Sequence, residues 1–310
     1  RRGRVGRDTG GTPAALTPLA PWSKIVPNKA GSKHRPIKTR EGTKLTMEPF
    51  SSIQPQRAQK LRYVLCDIDD TITTGGKLPA ESYAALWRLH DAGYGVIPVT
   101  GRPAGWCDLI VRQWPVTAVV GENGAFVYYF REGRRLTFTH PSVADGDIQG
   151  RLAAVRDACL AGVPGCRVSK DQFARIYDVA IDFNEDSPYL GFEAADQIQA
   201  IAQSLGAVAK VSSIHVNAWF GDYNKLDMTR LFLKEVLGEP DDDAIREKVI
   251  FFGDSPNDEP MFAFFPTSCG VANIQPFAEK MTCLPAFVTA EESGKGFAEA
   301  IQHLLRVCGK

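Results

Sequence analysis

The feature that most constrains this chain is a short apolar segment followed at once by a cluster of acidic residues. Residues 63–66 (Tyr-Val-Leu-Cys) are apolar, and residues 67–71 (Asp-Ile-Asp-Asp-Thr) come directly after them. An apolar run of this length, bounded by polar residues, is typical of a buried strand. The sequence therefore predicts a strand that presents carboxylates at its C-terminal end.

Further apolar segments end in the same way and alternate with segments of helical periodicity. Strands are predicted at residues 95–99, 118–120 and 249–252, and helices at residues 80–92 and 225–237. Alternation of this kind is typical of an α/β fold with a doubly wound parallel sheet, covered by helices on both faces. Ligands of such sheets bind at the carboxyl ends of the strands.

The alternation is interrupted between the predicted strands at residues 118–120 and 249–252. A predicted hairpin, then two helices and further strands, indicate an inserted α+β unit. The first 46 residues are rich in Arg, Lys, Pro and Gly and lack any period, which predicts disorder. The predicted domains are a disordered extension (1–60), a first part of the core (61–138), an α+β cap (139–214) and a second part of the core (215–310).

Composition limits the partners of the chain. Lys plus Arg equals Asp plus Glu at 36 each among 310 residues, which argues against a nucleic-acid or membrane-surface partner and favours a small molecule. No apolar run reaches the roughly 18 residues of a membrane span. Seven scattered cysteines favour reduced thiols, so we expect a cytoplasmic protein. The sequence does not indicate the oligomeric state.

The acidic segment suits phosphoryl transfer, which needs a nucleophile, a proton donor for the leaving oxygen and positive charge around the phosphate. Asp67 and Asp69 are two residues apart and would share one face of an extended strand. Asp67 would attack phosphorus, and Asp69 would act as general acid and base. Because two close carboxylates repel, we expect Mg²⁺, bound by Asp67, the Asp69 carbonyl and Asp254.

Other strand ends and helix starts would complete the site. Thr100, with the backbone N–H groups around Gly101, and the ammonium of Lys225 are candidate phosphate ligands. Asp258 would orient Asp254 or hold water on the metal. Each of these residues alone also has a purely structural interpretation, as a turn, a helix cap or an exposed lysine. Their order along the chain, each beside a predicted strand end or helix start, favours the functional one.

The four motifs resemble those of the haloacid dehalogenase superfamily: residues 67–71, 99–102 (Val-Thr-Gly-Arg), Lys225 and 253–258 (Gly-Asp-Ser-Pro-Asn-Asp). An α+β cap between the second and third motifs is similar to subfamily IIB, the Cof-type hydrolases with a C2 cap, which include sugar-phosphate phosphatases. The resemblance implies the same roles for these residues, with Asn257 and Asp258 as a supporting pair. Asp70 stands where the subfamily usually has Gly, and Asp tolerates the positive φ required there.

We therefore expect a Mg²⁺-dependent phosphatase for a sugar phosphate or a phosphoglycolate-like acid. A phosphomutase with the same aspartyl-phosphate intermediate, or a metabolite-binding protein without turnover, are the alternatives. The cap must recognise the leaving group, because the core binds only phosphate and metal. The candidate substrate residues are Arg102, Lys170, Arg175, His215 and Asn217.

Overall fold

The computed structural model describes residues 37–38, 44–143, 147–212 and 214–310. In chain order the strands are β1 (Ile37–Lys38), β2 (Lys44–Leu45), β3 (Glu48–Pro49), β4 (Tyr63–Cys66), β5 (Gly95–Pro98), β6 (Ala118–Gly121), β7 (Phe126–Arg131), β8 (Arg134–Thr139), β9 (Arg167–Val168), β10 (Asp178–Asp182), β11 (Val208–Val211), β12 (His215–Trp219), β13 (Val249–Gly253), β14 (Ser268–Gly270) and β15 (Phe287–Val288).

The α-helices pack against these strands, and five 3-10 helices lie between the other elements of the described ranges. In chain order the α-helices are α1 (Pro55–Ala58), α2 (Ala80–Asp91), α3 (Ala104–Gln113), α4 (Ile148–Gly162), α5 (Phe192–Ser204), α6 (Lys225–Glu235), α7 (Asp242–Lys248), α8 (Glu259–Phe264) and α9 (Ser293–Val307). None of the helices in the described ranges combines the length and apolar character needed to cross a membrane. The seven cysteines are free thiols.

A parallel sheet forms the core of the fold. Its strand order is β3-β15-β14-β13-β4-β5, and each neighbouring pair is parallel. A parallel bridge between Val99 and Val120 places β6 next to β5, and β7 and β8 continue from β6 in antiparallel order. The predicted α/β class with a parallel sheet is confirmed.

Both faces of this sheet are buried because its central strands are apolar at successive positions. On β4, Val64 and Cys66 belong to one apolar cluster and Leu65 to another. The first cluster includes residues of α2 and α9, and the second includes residues of α6. An apolar strand without polar alternation is what a parallel sheet between two helical layers requires. This burial fixes the strand ends, from which the site residues project.

The inserted unit, here called the cap, contains β9 to β12 with α4 and α5. Its antiparallel sheet has the order β11-β12-β10-β9, and the two helices pack on one face. The other face carries the polar residues Asp178, Asp182, His215 and Asn217, which alternate with apolar ones along β10 and β12. The boundary predicted between residues 214 and 215 is wrong, because β12 pairs on both sides within the cap sheet.

The N-terminal extension also differs from the prediction where it is described. β3 pairs in parallel with β15, and Phe50, Ile53 and Ala58 are buried in the core. Residues 48–60 are therefore part of the fold: a few apolar side chains dock there although the segment lacks a period that sequence could reveal. Residues 1–36 and 39–43 lie outside the described residues, so the disorder predicted there stays a prediction.

The turn after β6 brings the first half of the core against the start of α6. Gly124 has a φ of +108°, and a Cβ added there would lie 2.2 Å from the carbonyl oxygen of Asn224 and 3.0 Å from the amide nitrogen of Lys225. Only glycine allows the two backbones to approach this closely. Gly124 thus sets the position of the backbone from which the side chain of Lys225 extends.

We expect Gly124→Ala to lower the free energy of unfolding by about 3 kcal/mol or more, because it combines an unfavourable φ with a backbone clash. Gly133, at the β7–β8 turn, is the matched control: its φ is +73° and nothing lies within 4 Å of an added Cβ. Gly133→Ala should cost only about 1 kcal/mol. Equal losses in chemical denaturation would show that the contact with Asn224 is unimportant.

Candidate active site

Neighbouring parallel strands place the predicted acidic residues at one edge of the sheet. Asp67 follows β4 and Asp254 follows β13, and the amide of Asp67 donates to the carbonyl oxygen of Phe252 at 2.9 Å. Both side chains are buried, with 5 % of Asp67 and 8 % of Asp254 exposed. The strand-end placement predicted from the sequence thus brings the two carboxylates together.

Lys225 joins this cluster from the first turn of α6. Its Nζ donates to Asp67 Oδ1 at 2.8 Å and to Asp258 Oδ1 at 3.1 Å. The side chain of Asn224 caps the helix by accepting from the amide of Asp227 at 3.0 Å. A lysine buried between two carboxylates stays charged, and the pKa of its ammonium is raised because those charges outweigh the effect of burial.

Three aspartates form a compact acidic cluster. Asp67, Asp254 and Asp258 each offer a carboxylate oxygen, and these oxygens lie within 4.8 Å of one another. Gly253 makes room for this, because a Cβ there would lie 2.5 Å from Asp258 Oδ2. Asp258 was predicted to support Asp254, and its Oδ2 does accept the Asp254 amide at 3.2 Å.

The cluster carries more negative charge than Lys225 can balance. Burial raises the pKa of Asp67 to about 7, although the charge of Lys225 opposes this. Burial, and then the charges of Asp258 and Asp67, raise the pKa of Asp254 well above its usual range. Buried carboxylates that repel one another in this way suit a hard divalent cation with oxygen ligands. The donor set therefore fits Mg²⁺.

Asp69 turns away from the acidic cluster towards Arg102. The guanidinium donates from Nε to Asp69 Oδ2 at 2.9 Å and from Nη2 to Asp69 Oδ1 at 2.8 Å. Arg102 also lies over the ring of Trp106, with 4.5 Å between its Cζ and the ring centroid. A bidentate pair fixes the orientation of a carboxylate. Asp70, the next residue, has a φ of +54°, as its position in the turn predicted.

The side chain of Thr100, in the loop after β5, accepts a hydrogen bond from within the same loop. Thr100 is fully buried, and its Oγ1 accepts the amide of Arg102 at 3.0 Å. Gly101, rather than Thr100, lines the cavity above the acidic cluster. The part of this loop open to a ligand is therefore its backbone at Gly101.

A cavity of about 60 Å³ lies between the core and the cap. From the core it is lined by Asp67, Asp69, Gly101, Arg102, Asn123, Lys225, Asp254, Ser255 and Asn257, and from the cap by Arg175, Ser212, Ile214, His215 and Asn217. Four of the five candidate substrate residues thus meet at this cavity. Lys170 does not: its side chain is 82 % exposed and pairs with Asp186 at 2.8 Å.

A buried glutamate of the core holds the cap in place. Glu122 is fully buried, and its carboxylate accepts the amide of Ala104 at 2.9 Å in the core. It also accepts the amides of Ile176, Tyr177 and Asp178 at the start of β10, at 2.6 to 3.2 Å. This carboxylate therefore connects the backbone of the cap directly to the start of α3 in the core.

Several residues of the site escape prediction from sequence. Glu122 follows a predicted strand, at the edge of the sheet where ligands bind, but the Gly-Glu-Asn-Gly turn that it shares with Asn123 gives no sign of the contacts of either residue. Asn123 lines the cavity, and its Nδ2 is buried without a hydrogen-bond partner in the described chain. Asp171 and Glu185 of the cap lie 3.7 and 3.8 Å from Arg102 Nη1. They lie in irregular loops, where no periodicity marks which side chains face inwards.

Comparison with known proteins gives a consistent result. Residues 64–142 match a family model described as haloacid dehalogenase-like hydrolase. The chain is 26 % identical, over 246 residues, to a phosphoglycolate phosphatase of Methanobrevibacter smithii. The aligned region covers 77 % of this chain and 96 % of the relative.

Solved structures show the same fold at low sequence identity. The C-terminal domain of C. albicans trehalose-6-phosphate phosphatase matches with a TM-score of 0.62 and 14 % identity, covering 86 % of this chain and 98 % of that one. The sucrose-phosphatase of Synechocystis, solved in complex with sucrose and phosphate, matches with a TM-score of 0.55 and 16 % identity, covering 79 % and 98 %.

Asp254→Asn tests whether the acidic cluster is a metal site. Without metal the variant should melt at a higher temperature than the wild type, by about 2 °C for each kcal/mol of repulsion relieved. Because burial raises the pKa of Asp254 in the folded protein, the difference should vanish below about pH 4 and grow as the pH rises. Mg²⁺ should raise the melting temperature of the wild type only.

Asp196→Asn, an exposed change on α5 of the cap, is the matched control and should leave the response to Mg²⁺ unchanged. If Mg²⁺ stabilised Asp254→Asn as strongly as the wild type, the cluster would not be its binding site.

Proposed function

We propose that this chain is a phosphatase of the haloacid dehalogenase-like hydrolases, which hydrolyses a small phosphorylated metabolite with Asp67 as its nucleophile. The observation that carries the proposal is the surroundings of Asp67. This buried carboxylate lines the cavity, is fixed by Lys225 at 2.8 Å, and lies beside Asp254 and Asp258. A carboxylate held in this way can attack phosphorus without first giving up a large shell of water.

In the first step, a carboxylate oxygen of Asp67 would form a bond to phosphorus while the bond from phosphorus to the leaving oxygen breaks. Asp69 lines the same cavity and would give its proton to that oxygen, which leaves as an alcohol. Arg102 would position Asp69 through the bidentate contact. The product on the protein would be an aspartyl-phosphate at Asp67.

In the second step, Asp69, now a carboxylate, would remove a proton from a water molecule as that water attacks phosphorus. The bond between phosphorus and the Asp67 oxygen breaks, which releases inorganic phosphate and restores both carboxyl groups. Lys225, the backbone at Gly101 and the unpartnered amide of Asn123 would bind the phosphoryl oxygens in both steps.

A divalent cation fits beside these groups. Asp67, Asp254 and the backbone carbonyl of Asp69 would bind Mg²⁺, and Asp258 and Asn257 would support its ligands. The bound ion would supply positive charge against the phosphoryl oxygens. Its charge would also oppose the burial and the repulsion between carboxylates that raise the pKa of Asp67 and Asp254.

The relatives support a small substrate. One is named a phosphoglycolate phosphatase, and the structural neighbours are named for phosphorylated or free disaccharides. A cavity of about 60 Å³ is much smaller than the ~300–1,000 Å³ usual for ligand sites. The bound metabolite must therefore be small, or the cap must open to admit it.

Release of inorganic phosphate from a generic aryl phosphate tests the proposal. We expect hydrolysis that requires Mg²⁺ and falls at least about a thousandfold in Asp67→Asn, because the amide cannot act as the nucleophile. Asp196→Asn should keep full activity. Melting curves of both variants would separate loss of chemistry from loss of fold. Full activity in a folded Asp67→Asn variant would refute the proposal.

A further inference from the structure

The cap side of the cavity has cationic side chains, but carboxylates of the protein already bind them. Arg102 donates two hydrogen bonds to Asp69, and its Nη1 lies 3.7 Å from Asp171 and 3.8 Å from Glu185. Two carboxylates of the cap and one of the core therefore surround a single guanidinium. A ligand anion would have to displace one of them to reach it.

The second arginine of the cavity is satisfied in the same way. Arg175 Nη1 donates to both carboxylate oxygens of Asp178 at 2.9 and 3.1 Å and to the carbonyl of Gly101 at 3.0 Å. Its Nε donates to Asp171 at 3.2 Å. Arg175 Nη2 also donates to Asp171, at 3.4 Å, so Asp171 is shared between Arg175 and Arg102.

The histidine of the cap also has an acidic partner. His215 Nε2 lies 2.8 Å from Glu185 Oε2, and the ring is almost completely buried. Asn217, the neighbouring residue on the same face of β12, donates to Asp178 at 2.9 Å. Arg175, His215 and Asn217 of the cap, with Arg102 of the core, therefore form one network in which carboxylates are the common acceptors.

Asp171 and Glu185 do not line the cavity themselves, but both contact Arg102, which does, and their exposure shows which charge of the network is accessible. The side chains of Asp69 and Glu185 are each 33 % exposed and that of Asp171 is 13 % exposed. The guanidinium-bearing side chains are less accessible, at 9 % for Arg102 and 1 % for Arg175. The accessible part of the network is mainly carboxylate, so it repels anions and accepts hydrogen bonds from hydroxyl groups.

One cation of the cap sheet lies outside this network. Lys210 pairs in register with Asn217 across β11 and β12, so both side chains lie on the face towards the cavity. Lys210 is exposed and has no charged partner in the described parts of the chain. It lies on the edge strand β11 and, unlike Asn217, is not among the residues that line the cavity, and Asp171 and Glu185 outnumber it.

We propose that Asp171 and Glu185 are specificity-determining residues, which favour a leaving group that bears only hydroxyl groups and disfavour one with a carboxylate or second phosphate. Hydroxyl groups of the leaving alcohol would donate to these carboxylates, whereas an anionic group would be repelled by them. The inference rests on the proposed phosphatase function and adds to it the charge of the metabolite.

Matched pairs of substrates test this. Glucitol 6-phosphate is compared with 6-phosphogluconate, and glycerol 3-phosphate with 3-phosphoglycerate. Each pair differs mainly by one carboxylate. We expect kcat/KM to be about tenfold or more higher for the member of each pair that lacks the carboxylate. Each compound is also measured as a competitive inhibitor of aryl phosphate hydrolysis, so that the comparison does not depend on turnover.

Glu185→Gln links the selectivity to the cap. It should raise the ratio of kcat/KM for the member with a carboxylate to that for the member without one by about fivefold, and shift the ratio of their inhibition constants in the same sense. Asp171→Asn should act in the same direction if Glu185→Gln does not fold. Glu193→Gln, an exposed change on α5 with the same loss of charge, should alter neither.

The outcomes separate this inference from the function on which it rests. Equal or better binding of the acidic members by the wild type, or unchanged selectivity in a folded Glu185→Gln variant, would overturn the inference alone. Preference for the acids that disappears in Lys210→Gln would assign the anion site to Lys210 instead. Absence of Mg²⁺-dependent aryl phosphate hydrolysis would instead refute the proposed function.

Discussion

The buried contact between Lys225 and the carboxylates of Asp67 and Asp258 is the interaction on which the rest of the site depends. Burying three aspartates within 4.8 Å of one another is unfavourable, and one lysine balances only part of their charge. The fold tolerates the cluster because the central strands are packed on both faces and cannot move apart. Buried carboxylates that repel one another in this way are typical of functional sites.

The cap adds charged residues around Arg102 to those of the core. Glu122 ties the start of β10 to the core through backbone amides, and Arg175 donates to the Gly101 carbonyl. These contacts hold Asp171 and Glu185 near Arg102, which in turn orients Asp69. The acid and base of the proposed reaction is therefore positioned from the cap as well as from its own strand. A change in the cap can alter both specificity and rate.

Sequence predicts the core of this arrangement well because the core depends on local patterns. An apolar run followed by carboxylates places Asp67 and Asp254 correctly, since parallel strands end at one edge of the sheet. Helical periodicity likewise places Lys225 at the start of α6, although its contact with Asp258 depends on packing.

Features set by contacts distant in sequence are predicted less well. The boundary of the cap is wrong because β12 is recognised only through its pairing with β10 and β11. Lys170 has the right charge for a substrate residue, but its loop directs it to solvent. Asp171 and Glu185 give no sequence signal, because their role depends on a guanidinium that approaches from the core.

The stereochemical course at phosphorus tests the central claim most directly. A phosphorothioate ester made chiral at phosphorus with two oxygen isotopes is hydrolysed in water that carries the third isotope, and the configuration of the inorganic thiophosphate is determined. Attack by Asp67 followed by attack of water makes two in-line displacements, so the account predicts retention of configuration. Inversion would mean that water attacks the substrate in a single step, and would contradict the role of Asp67 as nucleophile.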